Sequence, residues 1–192
     1  AIGLSITFGT MQIINFAHAM VYALGVYFLI TFMPLVQDIF PLATLCAIVA
    51  VVPVAYLMER FVIRRLYGES LDYAMIATYA LLLIGTDVIK AVWGNTPQPI
   101  SDPIGVSFQL LGIDIPVYRA LIVLMAVVVF VALKLFFTKS IVGKIVVAAL
   151  EDTEGVRCLG LNVDKYFSMV FILGSALAVL GGILYAPIAT AE

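Results

Sequence analysis

The sequence predicts an all-α membrane protein, a polytopic helical bundle with a broken helix near the N-terminus and a cytoplasmic loop that contains short helices. Hydrophobic residues make up 64% of the chain and charged residues 11%, and the mean hydropathy is +1.18. Soluble domains average about 45–50% apolar and about 25% charged residues, so lipid is the expected solvent for the excess apolar surface. The charges are also clustered, because eight of the ten basic residues fall within two segments between apolar runs.

Residues 1–33 are apolar and uncharged, but they are too many for a single membrane span. A bilayer core of about 30 Å needs about 20 helical residues, whereas this segment would reach roughly 50 Å as one helix. We therefore predict a break between Gln12 and His18, where the strongly polar side chains of this segment are concentrated. Residues 34–41 follow as a short turn outside the membrane.

Four further spans are predicted, at residues 41–58, 73–93, 117–137 and 165–187. We expect Pro53 to kink the first of them and Trp93 to anchor the second at the membrane interface. The segments between these spans are predicted as loops, at residues 59–72, 94–116 and 138–164. We treat residues 1–192 as a single transmembrane domain that is incomplete at both ends.

Basic residues indicate which loops face the cytoplasm. Three arginines lie in the 59–72 loop and five basic residues lie within 134–165, whereas the 34–40 and 94–116 loops have none. By the positive-inside rule, the two basic loops are cytoplasmic. Arg119, at the outer end of its span, is a mild exception. The net charge of −2 argues against nucleic acid as a partner.

The last of the loops is the longest polar connection, yet it keeps enough apolar residues to form helices. Its charged residues are Lys139, Lys144, Glu151, Asp152, Glu154, Arg157 and Asp164. We predict one short helix over 143–151 and a second over 152–159. Asp152 or Thr153 would cap the second helix, and Gly160 would end it in a left-handed conformation. An amphipathic loop on the membrane surface is one interpretation, but the small apolar side chains favour a compact helix pair that inserts into a partner's groove.

Polar side chains near the predicted break are candidates for a role in transport. Asn15 and His18 are three residues apart and share a face if that piece is helical. Polar groups at membrane depth are costly unless they are satisfied, and broken helices often line transport paths. These two residues therefore fit either a structural role at the break or a place in a translocation path.

Small residues recur at four-residue spacing in the last span, at Gly174, Ala178 and Gly182. Such a row lets another helix approach closely. The neighbouring helix could belong to this chain or to a partner subunit.

The sequence carries no signature of covalent chemistry. The string VGKI at 142–145 lacks the Ser or Thr and the upstream Gly of a phosphate-binding loop. Neither a Ser/His/Asp triad nor a metal-ligand cluster can be assembled around a single histidine. We expect no catalytic residue, no metal and no cofactor.

Several motifs occur in a fixed order along nearly the whole chain: INFAHA (14–19), YALGVY (22–27), MERFVIRRL (58–66), WGNTPQP (93–99) and AALEDTEGVRCLGLNVDKYFSMVFILGSALAVLGGILYAPI (148–188). On these motifs the chain strongly resembles the permease subunit of branched-chain amino acid ABC importers, a family that also includes urea and short-amide permeases. Two positions depart from the family. Ala19 replaces the usual glycine after NFAH, and residues 145–147 are Ile-Val-Val where relatives tend to carry arginine.

The resemblance implies a multi-pass subunit of the bacterial inner membrane that moves leucine, isoleucine or valine. A urea or short-amide permease of the same family is the alternative, and an ATP-independent channel is a further one. The implied partners are a second homologous permease, two cytoplasmic ATP-binding subunits, a periplasmic substrate-binding protein and the lipid bilayer. The resemblance also implies that Asn15 and His18 lie near the translocation path. It assigns ATPase coupling to Glu151, Asp152, Gly160, Asn162 and Asp164.

Overall fold

The described part of the chain consists mainly of helices. A computed structural model describes residues 15–67, 69–94, 100, 105–110 and 113–189. The helices are α1 Ala17–Phe32, α2 Phe40–Phe61, α3 Leu71–Trp93, α4 Val117–Lys139, α5 Ile141–Glu151, α6 Thr153–Cys158 and α7 Val163–Ala189. Single 3-10 turns follow α1 and α2, at Pro34–Val36 and Ile63–Leu66, and a hairpin of β1 Ser107–Leu110 and β2 Ile113–Pro116 precedes α4.

Within the described residues, four helices are long and apolar enough to cross a membrane: α2 together with the turn that follows it, α3, α4 and α7. The four predicted spans match α2, α3, α4 and α7, without the turn after α2, to within three residues at each end. α1 is also apolar but has only 16 residues, a length of about 24 Å. The predicted class, a polytopic helical membrane protein, is confirmed.

The predicted break near the N-terminus falls partly outside the described residues. α1 begins at Ala17, inside the segment where we expected the break, and residues 1–14 are not described. Phe16, the residue before it, lies in a tight turn that leads into α1, closed by a hydrogen bond of 3.2 Å from the His18 amide to the Asn15 carbonyl oxygen.

α1 lies at the centre of the bundle and packs against α7, α2 and α3. Its contact with α7 is close because glycines stand on both sides. A Cβ at Gly25 would collide with the Val179 side chain, and a Cβ at Gly182 would collide with the Tyr22 carbonyl oxygen. Gly174 and Ala178 are buried as well, so the predicted row of small residues is covered within this chain.

α4 packs much more loosely than the other spans. Tyr118 is its only buried residue; the Tyr118 hydroxyl donates to the Leu184 carbonyl oxygen at 3.0 Å, and the Tyr118 ring makes an edge contact with Phe40. Apart from the residues that line the cavity described below, α4 presents large apolar side chains outward, where lipid can cover them.

The predicted loop at 59–72 is shorter than expected. α2 continues to Phe61, a 3-10 turn follows, and α3 already begins at Leu71. The cause is apolar packing, since Ile63 and Leu66 are buried in one cluster with Phe171 of α7. Because α2 extends this far, Glu59 belongs to the helix and not to a loop.

The hairpin between α3 and α4 was not predicted. β1 and β2 pair antiparallel with Ser107 opposite Pro116 and Leu110 opposite Ile113. The sequence VSFQL-LG-IDIP alternates apolar and polar residues around a glycine, which is a hairpin signal. The prolines and glycines earlier in this segment favour a loop over all of 94–116, and they mask the hairpin signal.

Candidate coupling and translocation sites

The connection between α4 and α7 folds into two short helices, each with its own cap. The Ser140 hydroxyl accepts a hydrogen bond of 2.9 Å from the Gly143 amide at the start of α5. Asp152 ends α5 and caps α6, because its Oδ1 accepts from the Gly155 amide at 2.8 Å. Gly160 follows α6 at φ +79°, a left-handed conformation that favours glycine. The predicted helix pair is confirmed, with its first helix beginning two residues earlier than expected.

A small apolar core holds this helix pair against the start of α7. Ala149, Val156 and Val163 are buried together, one from each of the three helices, and Phe167 packs against them. Val146, within the Ile-Val-Val string that departs from the family, is fully buried and therefore serves packing. The pair is thus a compact unit fixed to α7.

Asp164, in the first turn of α7, joins three parts of the molecule. Its Oδ1 accepts a hydrogen bond of 3.0 Å from the Arg157 guanidinium of α6. Its Oδ2 lies 3.7 Å from the Arg64 guanidinium, in the turn after α2. One carboxylate therefore connects α6, α7 and the α2–α3 turn.

Glu59, near the end of α2, is fully buried, whereas Asp164 is partly exposed. Its Oε1 accepts hydrogen bonds from the Ser168 hydroxyl at 2.6 Å and from the Tyr67 hydroxyl at 3.2 Å. No basic side chain of the described residues lies within 4 Å of its carboxylate. Our sequence reading missed this residue; the only signal was an acidic residue at the end of an apolar run, within the MERFVIRRL motif.

Tyr67 connects the buried carboxylate to the core beneath the helix pair. Its ring meets Phe167 edge-on, with ring centroids 6.0 Å apart and planes at 86°. Burial, followed by the adjacent Glu59 carboxylate, raises the pKa of the Tyr67 phenol well above its ordinary range. The neutral phenol is therefore the form that suits this site.

The structure gives four of the five predicted coupling residues a role inside the chain. Asp152 caps α6, Gly160 forms the left-handed turn, and Asp164 holds two arginines. Asn162 caps α7, since its Oδ1 accepts from the Lys165 amide at 3.2 Å. Glu151 is exposed and makes no side-chain hydrogen bond or ion pair within the described part of the chain.

Large apolar side chains also remain exposed on the helix pair. Leu159 is 78% exposed beyond the end of α6, and Leu150 is 40% exposed at the end of α5, beside Glu151. Exposed apolar residues rimmed by polar ones are typical of protein–protein contact sites. This surface, consisting of Leu150, Glu151, Glu154 and Leu159, is called the α5–α6 face below.

A cavity of about 350 Å³ lies between α1, α4 and α7. His18 and Tyr22 line it from α1, and Tyr185 lines it from α7. The remaining residues that line it are apolar: Ile122, Met125, Ala126, Val129, Leu177, Ala178, Leu180, Gly181 and Leu184. Binding sites for small molecules usually combine an apolar wall with a few polar groups in this way.

Asn15 and His18 do not share a helical face, because Asn15 precedes α1. Asn15 is 2% exposed and does not line the cavity. Neither its amide nitrogen nor its amide oxygen has a hydrogen-bond partner among the described residues. A buried polar group without a partner is costly, so a water or a polar ligand group would be stabilised here. Across the described ranges, no cluster of three or more potential metal ligands occurs.

Several apolar helices of membrane-spanning length pack around a shared core, and this architecture defines a multi-pass membrane protein. The short helices α5 and α6 lie at the end of the bundle that carries the basic connections. A family model described as branched-chain amino acid transport system / permease component matches residues 1–191. This chain therefore belongs to that permease family.

Similar proteins are named as permeases for branched-chain amino acids. The chain is 26% identical over 197 residues to the high-affinity branched-chain amino acid transport system permease protein BraD of Pseudomonas aeruginosa, and 24% identical over 199 residues to LivH of Escherichia coli K12. Both matches cover 96% of this chain and 64% of the relative. A probable branched-chain amino acid permease, LivH of Methanocaldococcus jannaschii, is 28% identical over 195 residues, with 96% and 60% covered. The chain thus spans less than two thirds of these relatives, and no solved structure matches it.

Proposed function

We propose that this chain is the membrane-spanning subunit of an ATP-driven importer that carries leucine, isoleucine or valine across the bacterial inner membrane. The observation that carries the proposal is the family match over residues 1–191. The names of BraD and LivH support the substrate class. In this proposal the chain catalyses no covalent reaction, and partner subunits hydrolyse ATP.

The α5–α6 face is the proposed docking surface for one of the two ATP-binding subunits. It lies at the basic end of the bundle, which the positive-inside rule assigns to the cytoplasm. Leu159 and Leu150 supply apolar anchors, and Glu151 supplies a charge without a partner in the described part of the chain. Since a short helix can insert its exposed side into a partner's groove, this arrangement suits coupling.

The cavity between α1, α4 and α7 is the proposed section of the translocation path. Its aliphatic walls suit a branched side chain, and His18, Tyr22 and Tyr185 provide hydrogen-bonding groups for the polar end of an amino acid. A periplasmic binding protein would deliver the substrate, and a second homologous permease would complete the membrane part. These partners follow from the resemblance to ABC importers.

Uptake by the reconstituted complex tests the proposed function. The protein is purified with a second permease subunit, ATP-binding subunits and a binding protein from the same organism, and labelled leucine and labelled urea are offered to proteoliposomes. We expect leucine uptake that needs ATP and the binding protein, and no urea uptake. Urea uptake would indicate the alternative substrate class, and uptake by this protein alone without ATP would indicate a channel.

Charge reversal tests the docking surface. Glu151→Lys should reduce both copurification of the ATP-binding subunits and their stimulated hydrolysis, because the exposed charge faces the partner. Glu69→Lys is the matched control, since it reverses an exposed charge in the connection between α2 and α3, outside the α5–α6 face. Normal copurification of Glu151→Lys would exclude Glu151 from the docking surface.

A further inference from the structure

A chain of contacts leads from the helix pair to the turn between α2 and α3. Arg157 of α6 contacts Asp164, and Asp164 contacts Arg64 of the turn. We propose that Asp164 and Arg64 are positioning residues that make the α2–α3 turn follow the movements of α6. The inference rests on the proposed function, because it assumes that ATP-binding subunits move this helix pair.

The polar link is supported by a second, deeper connection. Ser168 lies one turn beyond Asp164 on α7 and donates to the buried Glu59 of α2. Tyr67, at the end of the same α2–α3 turn, donates to the same carboxylate oxygen. The start of α7 is therefore attached to the turn both at the surface and in the interior.

An apolar contact completes the connection. Phe167 packs on the core formed by Ala149, Val156 and Val163, and its ring also meets Tyr67. A displacement of α5 or α6 would therefore act on Phe167 and Tyr67 together, since close-packed side chains transmit strain.

The helices that this turn joins lead onward to the cavity. α2 and α3 both pack against α1, and α1 contributes His18 and Tyr22 to the cavity wall. In α3, a Cβ at Gly85 would collide with the Met20 side chain, which shows how closely α3 approaches α1. A movement of the α2–α3 turn can thus reach the proposed translocation path through direct packing.

Stability alone does not account for the Arg64–Asp164 pair. The two side chains are 29% and 37% exposed, and the closest nitrogen and oxygen are 3.7 Å apart. Partly exposed pairs of this kind add little to the stability of a fold. Neutralising Arg64 should therefore leave folding and assembly intact while it loosens the link.

The test measures leucine uptake and ATP hydrolysis in parallel on the reconstituted complex. We expect Arg64→Gln to lower the leucine taken up per ATP hydrolysed by about twofold to thirtyfold, the range that mutations along coupling networks produce. Asp164→Asn should lower the same ratio, and adding Arg64→Gln to it should have no further effect, because Arg64 acts on the helix pair through Asp164. Arg65→Gln is the matched control, since Arg65 is the exposed neighbour of Arg64 and has no ion pair within the described residues.

An unchanged ratio of leucine uptake to ATP hydrolysis in Arg64→Gln would overturn the inference. A proportional loss of copurification, hydrolysis and uptake would also overturn it, because that pattern indicates a purely structural role. Both outcomes leave the proposed function standing, because the wild-type complex still imports leucine with ATP. A wild-type complex without ATP-driven leucine uptake would overturn the proposed function and this inference together.

Discussion

Ser168 on α7 donates a hydrogen bond of 2.6 Å to the carboxylate of Glu59 on α2, and the two residues are 109 positions apart in the sequence. Tyr67 donates to the same oxygen at 3.2 Å, and the other oxygen, Oε2, is buried without a partner in the described part of the chain. Buried polar groups that lose a hydrogen-bond partner are expensive. Glu59 therefore fixes the end of α2 against the first turns of α7.

Removal of the Glu59 side chain should destabilise the protein more than a change to its amide. Glu59→Ala removes the carboxylate that accepts from Ser168 and Tyr67 and creates a void in a fully buried position, so we expect a loss of about 2–4 kcal/mol in the free energy of unfolding. Glu59→Gln should cost about 1 kcal/mol, since its amide oxygen can still accept from Ser168. Thermal unfolding in detergent measures the difference, and equal losses for the two variants would show that the acceptor is unimportant.

The raised pKa of Tyr67 predicts a loss of stability at alkaline pH. The folded state holds the phenolic proton more tightly than the unfolded state, whose tyrosine pKa is about 10. The stabilising contribution is therefore complete below about pH 10 and declines as the pH rises further. Tyr67→Phe should flatten the alkaline decline in melting temperature, whereas Tyr73→Phe, at an exposed position of α3, should follow the wild type. Parallel curves for all three proteins would contradict the assignment.

The spans could be predicted because lipid ties helix length to hydropathy. Every backbone group in the bilayer must be paired within its helix, so apolar runs of about 20 residues become helices with few alternatives. The caps at Asp152 and Gly160 were also predictable, since each depends on neighbours a few residues away. Features that depend on such local contacts can be predicted from a single sequence.

The contacts of Glu59 and Asp164 could not be predicted in the same way. Glu59 meets Ser168 and Asp164 meets Arg64 only after α2 and α7 have packed, and no periodicity in the sequence marks these pairs. From hydropathy alone, a glutamate that follows an apolar run predicts the end of the membrane-spanning helix, so Glu59 is assigned to a loop. The cavity beside His18 was missed for the same reason, because its walls come from α1, α4 and α7.

Two adjacent glycines on α7 should differ sharply in their tolerance of a methyl group. A Cβ at Gly182 would collide with the Tyr22 carbonyl oxygen of α1, whereas a Cβ at Gly181 would meet nothing within 4 Å. We expect Gly182→Ala to destabilise the bundle by about 1–3 kcal/mol, as overpacking does elsewhere. Gly181→Ala should melt at or slightly above the wild-type temperature, because alanine is the better helix former. Similar melting temperatures for the two variants would refute the close approach of α1 and α7.

Two neighbouring residues of α4 allow a test of whether the cavity is part of the translocation path. Ala126 lines the cavity, whereas the next residue, Val127, is exposed on the outer face of α4. Ala126→Trp should fill much of the 350 Å³ space and reduce leucine uptake to the level measured without ATP. Val127→Trp places the same ring in lipid and should retain wild-type uptake, since lipid accepts large apolar side chains.

A second change in the same cavity separates blockage from loss of a polar contact. His18→Ala enlarges the cavity and removes one of its hydrogen-bonding groups, so uptake should fall while the melting temperature changes little. Leucine uptake and melting temperature are therefore measured on all three variants. If Ala126→Trp and Val127→Trp transport equally well, the substrate does not pass between α1, α4 and α7. If His18→Ala loses uptake and stability in proportion, the histidine supports the fold and takes no part in the path.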